Sequence, residues 1–201
     1  MTNLGHRSTL SFFPVLFAGI VVGLNYPSPL SADNAQTHIV FDGSTGTDKT
    51  MVNDIADGIA DNVFVIDSAD GSGQRGANLF HSFDEFSIAN GDTAQFTDLS
   101  NSNFSNVILR VTGGNESSIY GTIQTGEGLD TANLYLLNPT GIIFGDGASV
   151  DIGGSFYAST ADQLKFKGED TVMPTGTTSS TFYSADVEAF GFINPNPAAI
   201  T

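Results

Sequence analysis

The sequence contains no cysteine, and only six of its 201 residues are lysine or arginine, against 22 aspartates and glutamates. Without cysteine there are no disulfide staples, thiolate metal sites, sulfur nucleophiles or lipid anchor on a thiol. With so few bases and a formal charge of -16, a nucleic-acid or anionic-lipid surface is excluded, since such surfaces need clustered Lys and Arg. Charged residues make up only 14% of the chain and hydrophobic ones 40%, including 16 phenylalanines, which is enough to fill a core and argues against disorder. The length suits one domain of ordinary size.

The first 35 residues differ from the rest. His6 and Arg7 precede an uncharged apolar stretch, Leu10 to Leu24, followed by a polar, small-residue segment with Pro27 and Pro29. A basic start, a short apolar centre and a small-residue exit form the pattern of a secretory signal peptide. The stretch falls short of the ~20 residues a membrane span requires, and Pro14 and Gly19 interrupt it. Residues 1–35 are therefore expected to be a signal peptide, with no stable membrane insertion. Cleavage follows Ala32 or, preferably, Ala35, which makes Gln36 the mature start.

Beyond Gln36 the chain lacks a convincing amphipathic helix. The weak candidates are Met51–Ala60, broken by Asp57 and Gly58, and Ala185–Phe190. In their place are short β-branched and aromatic runs bounded by Gly, Asn, Asp or Pro: HIVF (38–41), NVFVID (62–67), NLFHSF (78–83), NVILRV (106–111), SIYGTI (118–123), NLYLLN (133–138), GIIFG (141–145), SVDI (149–152), SFYAS (155–159) and QLKF (163–166). These are strands and turns. Ile119 to Ile142 and Ile142 to Lys165 are each 23 residues, and Leu134 to Phe156 is 22. A near-constant interval favours coils stacked into a parallel β-helix, and a β-sandwich stays open as the alternative.

No catalytic constellation emerges. His81, Ser82 and Asp84 have the residue types of a triad, but strand alternation sends His81 and Ser82 to opposite faces, so His81 is expected to be a half-buried strand histidine. DSADGSGQ (67–74) and FGDGASVD (144–151) place acids near glycines without the ligand order of a calcium loop. GDGASVDIGG lacks the lysine and helix of a phosphate loop. Asn103 and Asn115 begin glycosylation sequons by chance. A polysaccharide-cleaving β-helix would need bases or a paired-carboxylate site, yet Arg75 and Arg110 fall in different coils, and an acidic surface repels polyanions. No catalytic residue, metal or cofactor is expected.

Five ordered blocks carry a resemblance: NLFHSFDEFSIANGDTAQF (78–96), SNVILRVTGG (105–114), SSIYGTI (117–123), NLYLLNPTGIIFGDGASVDIGGSFYASTAD (133–162) and FGFINPNPAAIT (190–201). Together they resemble the N-terminal two-partner secretion domain of filamentous haemagglutinin-like exoproteins, especially the cyanobacterial type. The resemblance implies an all-β fold, a right-handed parallel β-helix with N-terminal capping strands, over residues 36–201. It also implies export and recognition by an outer-membrane β-barrel transporter with periplasmic polypeptide-transport domains, which passes the chain through extended to the cell surface or medium. The family's Asn-Pro-Asn-Gly-Ile motif falls on Asn138, Pro139, Gly141 and Ile142, with Thr140 in place of the second Asn. Pro139 and Gly141 suit a tight type I turn in which Asn138 bonds nearby backbone. The second family motif, Asn-Pro-Asn-Leu, has no counterpart; VTGGNESS stands there.

The residues expected to carry the secretion signal are Asn78, Leu79, Phe80, His81, Ser82 and Phe83, with the turn residues Asn138, Pro139, Gly141 and Ile142. An adhesin whose coils bind a host-cell or glycan surface is the alternative, and a polysaccharide-active enzyme a more distant one. Members of this kind usually continue through many more coils, so a truncated gene, a fragment and a stand-alone domain stay open as readings of a chain that stops at Thr201. Absence of cysteine is consistent with crossing an oxidising periplasm unfolded.

Overall fold

Strands coil through three faces and return to the same face one rung higher. This architecture is seen in a computed structural model, which describes residues 36–45, 52, 62–70, 72–169, 172–178 and 182–201. The expected signal peptide and nearly all of the first helix candidate, Met51–Ala60, lie outside the described residues. The front sheet runs β1 (His38–Phe41), β4 (Asn78–Ser87), β6 (Asn106–Val111), β9 (Asn133–Leu137) and β12 (Phe156–Ser159), with β3 (Ser72–Arg75) also paired to β4. The back sheet stacks β2 (Val63–Asp67), β5 (Thr93–Thr97), β8 (Thr122–Thr125) and β11 (Ser149–Asp151), all in parallel. A short third face pairs β7 (Ser117–Ile119) with β10 (Ile142–Phe144), and single bridges from Ile88 and Ile200 extend it. The expected β-helix is thus present, with about three turns. Among the described residues no helix forms.

The N-terminal end is closed by antiparallel strands. One edge of β4 pairs with β3 along Asn78–His81 and with β1 along Phe83–Ser87, so the first coil meets a two-strand cap rather than solvent. Capping of this kind blunts an edge that would otherwise template pairing with other chains.

Register shows why the apolar runs are read on both faces. Leu79, Val107, Leu134 and Phe156 stack in one inward row, and His81, Leu109, Leu136 and Ala158 in the next. Alternate positions point out: Phe80, Ile108, Tyr135 and Tyr157 form an outer row. Nevertheless, every residue of β6 is buried. The outward face is covered by a second, antiparallel sheet, in which β13 (Gln163–Phe166) lies between β14 (Val172–Pro174) and β15 (Val187–Gly191). Its Leu164, Phe166 and Met173 pack on Phe80, Ile108, Tyr135 and Leu137. A strand buried on both faces reads as a continuous apolar run, as NVILRV does, and each large side chain so buried contributes about 1.5–3 kcal/mol.

Two expectations are corrected by this outer sheet. Ala185–Phe190 is not helical: Val187–Gly191 is a strand paired to β13, with Lys165 and Glu188 joined by an exposed 3.4 Å ion pair. The 23-residue step from Ile142 to Lys165 is not a coil repeat, because Lys165 leaves the coil and pairs antiparallel with Val172 and Ala189. Leu134 does stack on Phe156, but Ile119 stacks on Phe144 rather than Ile142. Real coil steps vary with the corner loops, from Asn78 to Asn106 to Asn133 on the front sheet and from Val63 to Thr93 on the back.

Candidate functional site

Asparagines form a ladder at the start of the front sheet. Asn133 Nδ2 donates to Asn106 Oδ1 at 3.0 Å, and Asn106 Nδ2 donates to Asn78 Oδ1 at 2.8 Å. At the lower end Asn78 Nδ2 donates to the Tyr183 and Ala185 carbonyls at 2.9 and 2.7 Å; at the upper end Asn133 Oδ1 accepts from the Ser155 amide at 2.9 Å. The ladder ties three coils to one another and the first coil to the segment that precedes β15. Asn78 was singled out from sequence; Asn106 and Asn133 were not. Their signal was an asparagine heading each apolar run.

The rest of the β4 motif divides by face. Leu79, His81 and Phe83 point into the coil and Phe80 and Ser82 toward the outer sheet; all five are buried. Ser82 Oγ donates to Asp42 Oδ2 at 2.6 Å and accepts from Arg110 Nε at 2.7 Å. Arg110, 1% exposed, also donates to Ser44 Oγ at 2.8 Å, and its guanidinium lies 5.4 Å from the Phe182 ring centre. Asp42 further accepts from Thr112 Oγ1 at 2.8 Å and the Ser44 amide at 2.8 Å. Burial pulls the Asp42 carboxyl upward, but these hydrogen bonds outweigh it and hold the group below its ordinary 3.8. Burial lowers the Arg110 guanidinium from its ordinary value, and the Asp42 charge offsets part of that. Arg75, on β3, and Arg110, on β6, both lie near the same ring, the Arg75 guanidinium being 5.9 Å from the Phe182 centre.

The turn after β9 is tight. Gly141 N donates to the Asn138 carbonyl at 3.2 Å, closing a four-residue turn, while Asn138 Oδ1 accepts from the Thr140 amide at 2.9 Å. Asn138 Nδ2 reaches back to the previous coil, donating to the Asn115 carbonyl and Ser117 Oγ, each at 2.9 Å. Asn138 is fully buried, so its amide is a rivet between coils. At Gly141 φ is +138°, a region L side chains rarely adopt, and an added Cβ would sit 2.8 Å from Glu116 Oε1. Asn138→Ala is expected to cost about 1–3 kcal/mol, because it removes the partner of the Thr140 amide in the turn and of two acceptors on the previous coil; the urea midpoint measures it.

His81, Ser82 and Asp84 do not converge as a triad. His81 and Ser82 face opposite sides of β4, as alternation requires. His81 is not half-buried as expected but fully buried, because Phe41 of the cap and Phe83 and Phe96 of the coil enclose it. Among the described residues no group of three His, Asp or Glu could hold a metal ion. In 67–74 Asp67 accepts from the Ala69 amide of its own turn at 3.0 Å and from the Leu99 amide, just after β5, at 2.9 Å. One surface groove of about 340 Å³ is lined by His38, Glu85, Ser87, Asn115 and Glu116; in it His38 Nδ1 and Glu85 Oε2 are 3.1 Å apart.

With a capped β-helix, an asparagine ladder and the closed turn in place, comparison with protein families becomes informative. A family model, the TPS secretion domain, matches residues 37–191. The chain belongs to the TPS secretion domain family. The match runs from β1 through β15, so it takes in the cap, the coils and the outer sheet. No curated protein matches the chain. A TPS domain marks a two-partner secretion substrate, a domain of secreted exoproteins that reach the cell surface or medium.

Proposed function

We propose that this TPS domain is the module through which an exported exoprotein is recognised by its outer-membrane β-barrel transporter. The chain enters the periplasm on the signal peptide of residues 1–35. It meets the transporter's polypeptide-transport domains in an extended state, and folds into the β-helix outside. The observation that supports this reading is the burial of the motif residues. Asn78 to Phe83, Asn138 and Ile142 are all at or below 1% exposure in the folded domain, so a partner that reads these side chains must meet them before the coils close. An extended segment of alternating residues suits strand addition, in which main-chain hydrogen bonds give affinity and side chains give selectivity.

The test is location. In cells that carry the transporter the full chain is expected in the medium or on the surface, and in cells lacking it the chain is expected in the periplasm. Undiminished secretion by the deletion strain would remove the reading.

A further inference from the structure

His81 is the one buried side chain among the described residues whose polar atoms are left without partners: neither Nδ1 nor Nε2 makes a hydrogen bond. Buried polar groups are nearly always satisfied, and an exception requires an account. Nor is the slot one that demands histidine. Its register-mates along the same inward row are Leu109, Leu136 and Ala158, all apolar. The imidazole centre lies 6.3 Å from the ring centre of Phe41, 6.1 Å from Phe83 and 5.6 Å from Phe96. Two of these neighbours belong to different layers: Phe41 to the antiparallel cap, Phe96 to the back of the first coil.

We propose that His81 is a proton trigger at the junction of cap and first coil, so that mild acid loosens the N-terminal end of the folded domain.

A neutral imidazole can sit in this apolar slot. An imidazolium fits badly, since it would bring a second N–H donor and a charge into a slot walled by aromatic rings, where neither ring nitrogen makes a well-formed hydrogen bond. Protonation therefore requires the cap to open. The charged groups on the surrounding strands relieve it only in part, because each is engaged elsewhere. On β1, His38 pairs with Glu85, and Asp42 just beyond the strand is engaged by Ser82 on the other face of the front sheet. At the end of β2, Asp67 is held by the Ala69 and Leu99 amides, and just after β5, Asp98 by Ser68 and Ser100. On β3 Arg75 is exposed, and on β6 Arg110 is turned outward to Ser82. Burial pushes the imidazole down to about 4 from its ordinary 6.5, with the Asp70 backbone and the Asp67 charge offsetting part of the fall.

The sign follows. The unfolded chain takes the proton near 6.5 and the folded one only near 4, so stability is fully present above 6.5 and drains away as pH falls between those values. Asp42 and Asp67, held below 3.8 by their hydrogen bonds, keep their contributions through that window.

Urea unfolding of the full chain at pH 8 and pH 5 tests this. The wild-type folding constant is expected to fall roughly thirtyfold on acidification beyond the change seen in His81→Phe, which fills the slot with an apolar ring. His38→Gln, the surface control, should keep the wild-type loss. Equal pH dependence in wild type and His81→Phe, or its disappearance in His38→Gln, overturns the proposal. A second measurement covers a His81→Phe chain that fails to fold: NMR titration of the folded wild type. An imidazole at 81 that stays neutral at pH 5 supports the trigger, and one that protonates near 6.5 in the folded state refutes it.

Discussion

Arg110→Ala is expected to destabilise the domain by about 3–5 kcal/mol, the range found when one member of a buried charged set is removed. Three losses coincide. Ser82 Oγ loses the Nε donor at 2.7 Å and Ser44 Oγ the terminal donor at 2.8 Å. Asp42, only 5% exposed, loses the nearest positive charge to offset its burial. The guanidinium also leaves a gap beside Phe182, which packs 4.8 Å from Phe80 between the ring centres and helps seat the outer sheet. Arg110→Lys should recover little, because a lysine ammonium cannot reproduce a planar fork that bonds Ser82 and Ser44 and stacks on a ring. Arg110→Met paired with Asp42→Asn should recover much of the loss by removing both charges. Urea midpoints of the four chains at neutral pH decide it, and an Arg110→Ala chain within 1 kcal/mol of wild type, by the marginal-surface standard, would show that the cluster is ornamental.

Much of this arrangement was legible from residue patterns, and what was missed has a physical reason. The ten apolar runs read as strands all contain strand residues, since β-branched and aromatic runs between turn formers leave few alternatives. Stacking of Leu134 on Phe156 was legible because both belong to coils with short corners. The outer sheet was not. Its β15 carries the sequence Val187-Glu188-Ala189-Phe190-Gly191 over the outer row of the front sheet, and a five-residue window of that composition fits one helical turn as well as it fits a strand. Only the pairing with β13 decides between them, and that pairing is between residues more than twenty apart in sequence. The outer layer buries Arg110, which lies against Phe182, whereas His81 on the inner face is enclosed by Phe41 of the cap and by Phe83 and Phe96 of the coil. Alternation gave their faces correctly, but half-burial is the expectation for a sheet with one wet side, and here neither side is wet. The buried site was thus present in the strand pattern as a face assignment, while its burial depended on a layer that local pattern does not encode.

Gly153→Ala is expected to be the most damaging of the glycine substitutions, at about 3 kcal/mol or more, toward the upper end for overpacking. In the turn between β11 and β12 the backbone of Gly153 runs against the preceding coil, and an added Cβ would fall well inside van der Waals contact of the Asp130 carbonyl oxygen. Gly154 beside it is nearly as tight: its Cβ would lie 2.5 Å from the Ala132 oxygen, the same carbonyl that accepts the Gly154 amide at 3.1 Å. Because the obstacle is backbone on both sides, no rotamer change relieves it, and the coils must separate. Separation pulls on the Leu134–Phe156 register and on the bond from the Ser155 amide to Asn133 that ends the asparagine ladder. Gly168→Ala is the matched control. Its φ of +75° strains an L residue, yet nothing lies within 4 Å of the added Cβ, so only the torsional cost of about 1 kcal/mol applies. Thermal unfolding of the two chains side by side separates contact from torsion. A Gly168→Ala chain as unstable as Gly153→Ala would mean that coil spacing is not what the glycine pair protects.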